Sequence, residues 1–407
     1  MKQIKNVLFL MLVSGWVCPE VFGGDWPQFR GPNRDGKSAE TALLKKWPED
    51  GPQELWSIDG LGEGFASVAV ADGIIYTTGL VGKDGVIFAF DLDGKLKWKK
   101  IYGPGWTGSY KGTRTTPTID GDRLYLMSAH GRIACYNART GDPIWYIDTL
   151  DKFHGENIRW GMAESVLIDS KKVICTPGGQ DASVVALDKM NGKTLWTSKG
   201  LSERSAYCSP ILVERGGTRL LMTMIQESVV GLDITDGKLY WRIAHQVDHD
   251  INAVSPAYEN GMVYITNGYK QGGMMFELAA DGKGYEKKWV DSHLDVHHGG
   301  VVLVDGDIHG ASTRGQWMCL ELATGRLKFQ DKLVGKGSVI WADDRLYCYG
   351  EKGTLGLVKI TPGGYEMVSS FKITKGSGRH WAHPAISNGR LYLRHGEALM
   401  AYDIKSK

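Results

Sequence analysis

The residues best equipped for chemistry fall in clusters. His297 and His298 are adjacent, His245 lies four residues before His249, which adjoins Asp250, and His380 lies three before His383. Around these stand Arg114, Arg159-Trp160, Glu164, Tyr207 and Asn252. The set is rich in cations and aromatic faces and poor in carboxylates, which suits an anionic or sugar-like ligand. Arginine forks grip a carboxylate or phosphate, and Trp or Tyr stacks on a ring. His297, His298, His249 and Tyr207 are the candidates for proton transfer. A metal site would draw on His249, Asp250 and His297. Adjacent residues on a strand point to opposite sides, so the His297-His298 pair would supply a single ligand. The sequence contains no Gly-x-Ser-x-Gly elbow, no His-Glu-x-x-His and no phosphate-cradling loop. Pro177-Gly178-Gly179 and the glycines between 268 and 273 precede no helical pattern, so they read as loops that bring backbone close to a ligand or a neighbour.

These residues need a scaffold that gathers positions hundreds of residues apart, and a repeat supplies it. One unit recurs: a small-polar or Pro start, an apolar strand, an Asp-Gly-type turn, a Leu/Val-Tyr strand, a Gly-bearing loop, an apolar strand ending near Asp, a Thr-Gly-Lys-type turn, and a final Trp. Ser209-Pro210, Leu232-Asp233, Asp236-Gly237-Lys238 and Trp241 show it in one copy. Four short strands joined by tight turns make one propeller blade. The closing aromatic falls at Trp56, Trp98, Trp145, Trp196, Trp241, Trp289, Phe329 and Phe371, which predicts eight blades. The regular placement assigns these rings to packing between blades rather than to ligand stacking. The last repeat stops after Ala401-Tyr402-Asp403, before a fourth strand, while Glu54-Leu55-Trp56 is a fourth strand with no blade before it. Pairing the two closes the ring and removes its open edges. The fold class is therefore all-β, an eight-bladed propeller.

Blade topology then maps the chemistry. Asp-Gly and Thr-Gly hairpins close the bottom, so the longer links lie on top around the channel mouth. Those links carry Tyr110, Arg114, His154, Arg159, Trp160, Arg204, Tyr207, His245, His249, Asp250, His293, His297, His298, Arg379 and His380, with His130, His309, Arg314 and His395 in the loops within blades and His383 at an inner-strand start. All eleven histidines thus map to one face or its rim, the pattern of a functional surface.

A length of 407 residues would ordinarily mean two or three domains, but blades share one closed structure. The organisation read from the sequence is a signal peptide over 1–23, an N-terminal strap over 24–53 and the propeller over 54–407. Lys2 and Lys5, the short apolar run Val7 to Val17 and the small-residue site Val21-Phe22-Gly23 predict export to the periplasm or beyond, with no transmembrane segment. Cys18 invites a lipoprotein reading, which Trp16 and Val17 oppose because a lipid-attachment motif wants small residues there. Cys135, Cys175, Cys208, Cys319 and Cys348 form no framework or C-x-x-C pair and read as buried thiols. A formal charge of +2, with no long run of one sign, points away from nucleic acid. A monomer is expected.

The run Ala186-Leu187-Asp188, Gly192-Lys193 and Trp196 resembles the tryptophan-docking motif of the pyrroloquinoline quinone (PQQ) repeat, and Ala89-Phe90-Asp91, Gly94-Lys95 and Trp98 repeat it one residue shorter. Trp26 to Gly36, Cys175 to Gly179, His297 to Gly300 and Trp381 to Pro384 are similar to segments of exported PQQ-like propellers of planctomycete type. More distantly, the chain resembles the outer-membrane assembly propeller lipoprotein and the quinoprotein alcohol dehydrogenases. The resemblance implies PQQ as a cofactor, yet those enzymes place a vicinal Cys-Cys disulfide against the quinone and no two cysteines are adjacent here. The leading expectation is a propeller that binds a small polar ligand, carbohydrate-derived or anionic, in a top-face funnel formed by Arg114, Arg159, Trp160, Glu164, Tyr207, Asp250, Asn252, His297, His298 and His380. The alternatives are a quinone-dependent oxidoreductase, a lyase or hydrolase acting on acidic sugars, and a scaffold that binds a protein partner.

Overall fold

A computed structural model describes residues 24–406. The segment expected to be a signal peptide, with its expected cleavage site and Cys18, lies outside the described residues. Eight antiparallel sheets follow one another along the chain, over 69–104, 118–148, 167–197, 211–244, 257–291, 301–331, 337–372 and 385–403 (blades 1 to 8). Seven of them are complete in sequence order. In blade 8 the outer strand is Glu54–Ile58, paired with Ala398–Asp403 and with Trp56 opposite Ala401. Among the described residues helix is confined to Thr149–Phe153 and a single turn over Asp248–Asp250. Second and third strands such as Ile74–Val81 and Asp84–Asp91 are buried on both faces, because each blade packs against two neighbours, so apolar residues run almost continuously there. All five cysteines between 135 and 348 are buried and unpaired.

The closing tryptophans show how neighbouring blades are locked. The indole N–H of Trp98 donates to the Ala138 carbonyl in the next blade at 3.0 Å. Trp145 donates to Lys189, Trp196 to Ile234, Trp241 to Gly282, Trp289 to Leu322 and Trp56 to Leu92 in the same way, each at 2.8–3.2 Å. The acceptors lie in the turn before the next blade's outer strand, whose glycine must let the indole approach. A Cβ at Gly141 would stand 2.5 Å from Trp98, and one at Gly192 would stand 2.8 Å from Trp145. Both glycines also have positive φ, which disfavours a side chain independently. Two seams lack the bond because Phe329 and Phe371 carry no donor. There Phe329 meets Tyr365 edge-on at 4.8 Å, while Phe371 is flanked by Trp47 at 5.5 Å and Tyr402 at 5.3 Å.

An arc of bonds runs along the channel through blades 1 to 4. The Ser67 N–H donates to Thr116 Oγ1, the Thr116 N–H to Ser165 Oγ and the Ser165 N–H to Ser209 Oγ, at 3.0–3.2 Å, each step crossing to the next blade. This is the physical content of the small-polar residue that opens those four repeats.

The N-terminal segment enters the channel itself. Trp26 pairs with Val70 of blade 1, the Pro27 carbonyl accepts from Ile119 of blade 2, and Lys37–Ser38 adds parallel to Trp341-Ala342 of blade 7. Two buried guanidinium groups complete the inner ring. Arg34 donates to the carbonyls of Ser165, Val166 and Pro210, and Arg30 to those of Asp35 and Val301. Both are buried, which lowers them to about 10, so they stay charged in the presence of several carbonyl acceptors.

Replacing Gly141 with alanine is expected to cost about 2–4 kcal/mol, the sum of left-handed strain and overpacking against Trp98. Gly73 has the same φ of +73° with nothing within 4 Å of a Cβ, so Gly73→Ala isolates the strain. Urea unfolding of both variants tests this: equal losses would refute the role assigned to the indole contact.

Candidate functional site

The inter-blade links converge on a top-face cavity of about 290 Å³. Its wall is a closed circuit of ring contacts: Tyr110–Trp160, Trp160–His249, His249–Tyr269, Tyr269–His297, His297–Trp381 and Trp381–Tyr110, with centroids 5.4–6.2 Å apart. Phe65 supports Trp381 at 5.1 Å, and Tyr207 supports Trp160 while its hydroxyl accepts the Trp160 backbone N–H at 3.2 Å. Phe29, carried into the channel by the N-terminal segment, lines the cavity and meets His383 edge-on at 5.0 Å. The cavity is therefore stopped from below by the segment that fills the channel. Tyr110 and Tyr269 keep 45% and 40% of their surface exposed, too much for groups that serve only packing.

Three cations line the same space: Arg114, Lys336 and Arg379. Arg379 lies over Tyr110 and Trp381 at 5.2 and 4.8 Å, and Arg159 covers Trp160 at 4.8 Å. Arg114 donates to the carbonyls of Gly112 and Tyr110, and burial lowers it to about 10, leaving it charged. No Asp or Glu is among the lining residues.

One polar chain runs beneath the aromatic wall. Lys336 Nζ donates to His297 Nδ1 at 2.9 Å and to Glu351 Oε1 at 3.0 Å, and His298 Nε2 reaches the same carboxylate oxygen at 2.8 Å. With Nδ1 accepting, His297 Nε2 carries the proton and donates to the Tyr269 hydroxyl at 3.2 Å. Burial, then His298 and Lys336, lower His297 to about 3, so it is neutral at ordinary pH. Burial alone would raise Glu351, but the His298 hydrogen bond and Lys336 outweigh it and hold the carboxyl down at about 2. Tyr207 is pushed up to about 12 by burial and remains a hydrogen-bond donor, not a base.

Of the residues singled out from sequence, Arg114, Trp160, Tyr207, His297 and His298 line the cavity, and His249 and Arg159 stand at its edge, joined at 3.1 Å. Four are placed elsewhere. Glu164 is buried in a seam against Thr176, Asn252 holds the carbonyls of Ile225 and Gln226, Asp250 is turned to Arg204 and Gln226, and His380 stacks on His395 at 3.5 Å. The cause is strand-like alternation: Ala163 and Ser165, Ile251 and Ala253, Trp381 and His383 face the cavity, so Glu164 and Asn252 between the first two pairs face away, as do Asp250 and His380 one position before Ile251 and Trp381. His309 is a further correction. It sits within the strand Asp307–Ala311, bonded to Tyr365, because the loop of that blade starts only after it. Phe29, Phe65, Tyr269, Lys336 and Trp381 were missed as site residues. Lys336 and Glu351 lie in top-face links that the same topology would have flagged had lysines and carboxylates been traced along with histidines.

The expected metal set does not assemble, since His249, Asp250 and His297 each face a different partner. His297, His298 and Glu351 do bring ligand atoms within 4.8 Å of one another. The two rings converge because the pair sits in a bend and not on a strand, which overturns the expectation that they would point apart. Lys336 already supplies the positive charge at that point, bonded to both His297 and Glu351.

A sequence profile described as outer membrane protein assembly factor BamB matches residues 40–145 and 83–331, together well over half of the chain. The chain belongs to the PQQ-repeat propeller family. Among known proteins, this propeller is 30% identical over 158 residues to quinoprotein alcohol dehydrogenase PedH of Pseudomonas putida, a match covering 36% of the chain and only 25% of that enzyme. BamB from Moraxella catarrhalis superposes with a TM-score of 0.62 at 15% identity, over 87% of this chain and 98% of that one. Quinohemoprotein alcohol dehydrogenase from Comamonas testosteroni gives 0.70 at 13% identity, over 94% and 81%. These likenesses establish the shared fold. The residues present do not fit metal-assisted quinone chemistry: the cavity offers no carboxylate to hold a hard divalent cation or take up an alcohol proton, and no described cysteine lines it.

The buried histidines set the acid response. Burial is the first cause that lowers His297 and His383 to about 3 and His245, His309 and His380 to about 4. Between the ordinary value of 6.5 and these folded values the unfolded chain binds more protons, so stability rises with pH and is lost on acidification. The depressed Glu351 acts in the same direction below 4.5. Urea midpoints at about pH 7, 5.5 and 4 should fall in that order; a flat profile would contradict the neutral assignment.

Proposed function

We propose that this propeller acts outside the cytoplasm as a receptor for a small anionic ligand of carbohydrate type, held in the top-face cavity. The observation that carries the reading is the combination of a closed aromatic wall, three lining cations and no lining carboxylate. Sugar rings present C–H faces that stack on indole and phenol, and a carboxylate or phosphate on such a ring meets Arg114 and Arg379. The floor at Phe29 favours a ligand that enters from the top and is held end-on. Neutral His297 and protonated Tyr207 serve as hydrogen-bonding groups toward ligand hydroxyls. Export is supported by the leader-like composition of residues 1–23.

Tryptophan fluorescence titration with uronic acids, their short oligomers and the corresponding neutral sugars tests the reading. Acidic sugars are expected to bind at least about tenfold more tightly than neutral ones, roughly 1.4 kcal/mol, with affinity falling as salt rises. Trp381→Ala and Arg379→Ala should each cost a similar factor, and Arg379 is exposed, so its loss leaves the fold intact. Equal affinity for acidic and neutral sugars, or indifference to both variants, would overturn it.

A further inference from the structure

The seam between blades 6 and 7 is one of the two without an indole bond, and it contains a buried polar group of side chains away from the cavity. Asp307 and His309 are alternate residues of the strand Asp307–Ala311 and so share a face, and Cys319 of the neighbouring strand stands directly opposite His309. Their ligand atoms all lie within 4.8 Å of one another. Carboxylate, imidazole and sulfur held at that separation on two adjacent strands are a tripod that needs no blade to move.

The surroundings complete the arrangement. Across the seam, the Tyr365 hydroxyl holds His309 Nδ1 at 2.9 Å, which fixes the ring and leaves Nε2 as the nitrogen free to bind a cation. Lys328 Nζ contacts Asp307 Oδ2 at 2.6 Å, so a positive charge already stands at the carboxylate, on a flexible side chain that can leave. His309 and Cys319 are buried, while Asp307 keeps 14% of its side chain exposed and marks the way in.

We propose that Asp307, His309 and Cys319 form a binding site for a thiophilic divalent cation, of which zinc is the best match to one oxygen, one nitrogen and one sulfur ligand with a fourth position open. Binding breaks the Cys319 S–H bond, the proton leaves to solvent, and the sulfur lone pair forms the bond to the metal, with no change of oxidation state. Lys328 is displaced from Asp307 in the same event. Burial and then Asp307 raise the thiol to about 12, so occupancy requires the metal to drive the proton off and weakens as pH falls. Burial lowers His309 to about 4, which keeps the imidazole in its ligating form.

Titration of the full mature chain with cobalt(II), after treatment with a chelator, reads the site directly. One equivalent should bind with a thiolate-to-cobalt charge-transfer band, and zinc should displace it. Cys319→Ser should abolish the band, and Asp307→Asn, which keeps the side chain's size, should weaken binding about tenfold or more. Cys348→Ser, which removes a different buried thiol, and Trp381→Ala, in the cavity wall, should leave the band unchanged. Near-ultraviolet circular dichroism confirms that each variant is folded. Absence of the band in the folded parent chain, its survival in Cys319→Ser, or an equal loss in Cys348→Ser would overturn the assignment.

Discussion

A propeller turns the edge of every inner strand toward its central channel, and the backbone groups there must find partners. Here the N-terminal segment provides many of them. Its own backbone bonds to Val70, Ile119 and Trp341, and two guanidinium groups, Arg30 and Arg34, reach carbonyls of blades 3, 4 and 6. Both arginines and the nearby Gly31 and Gly36 adopt positive φ, so the segment is wound tightly enough to present donors in several directions at once. Buried charge is costly unless every donor is engaged, and a ring of converging carbonyls is one of the few environments that engages a guanidinium fully. What lies above the segment depends on it, since Phe29 is both a residue of that segment and a lining residue of the cavity.

The seams operate on a different principle. Each indole combines a large apolar face with a single donor, and the donor reaches a carbonyl only where the following turn has no side chain. Glycine in the turn and tryptophan at the strand end are thus two halves of one contact. Where phenylalanine replaces tryptophan the contact changes character: at Phe371 the N-terminal strap adds Trp47, and at Phe329 the seam holds Tyr365, His309 and Cys319 instead. Departure from the repeat coincides with side chains able to do something other than pack.

The cavity draws its polarity from the same division of labour. Alternate residues at the mouth either face the ligand space or tie the blades together, so Tyr207 and Ser209 line it while Cys208 between them is buried. Carboxylates are directed into the seams, as with Glu164, or tied to cations, as with Glu351 and Asp250. The open face is left aromatic and cationic. A fold shared with both an assembly factor and dehydrogenases does not choose among activities; these side chains do.

Blade number, ring closure by Glu54–Ile58 and the structural role of the tryptophans were determined by sequence alone, because they follow from local periodicity, turn chemistry and the recurrence of one unit. The top-face location of most of the chemistry was legible for the same reason. Tertiary structure alone decided which members of that set face the cavity. The choice between Ser165 and Glu164, or between Trp381 and His380, turns on a phase of one residue in links whose length varies from blade to blade. It also decided that His297 and His298 converge, since a bend breaks strand alternation, and that Phe29, far from the other lining residues in sequence, closes the floor. Contacts of that kind depend on the ring being closed, and no local pattern encodes them.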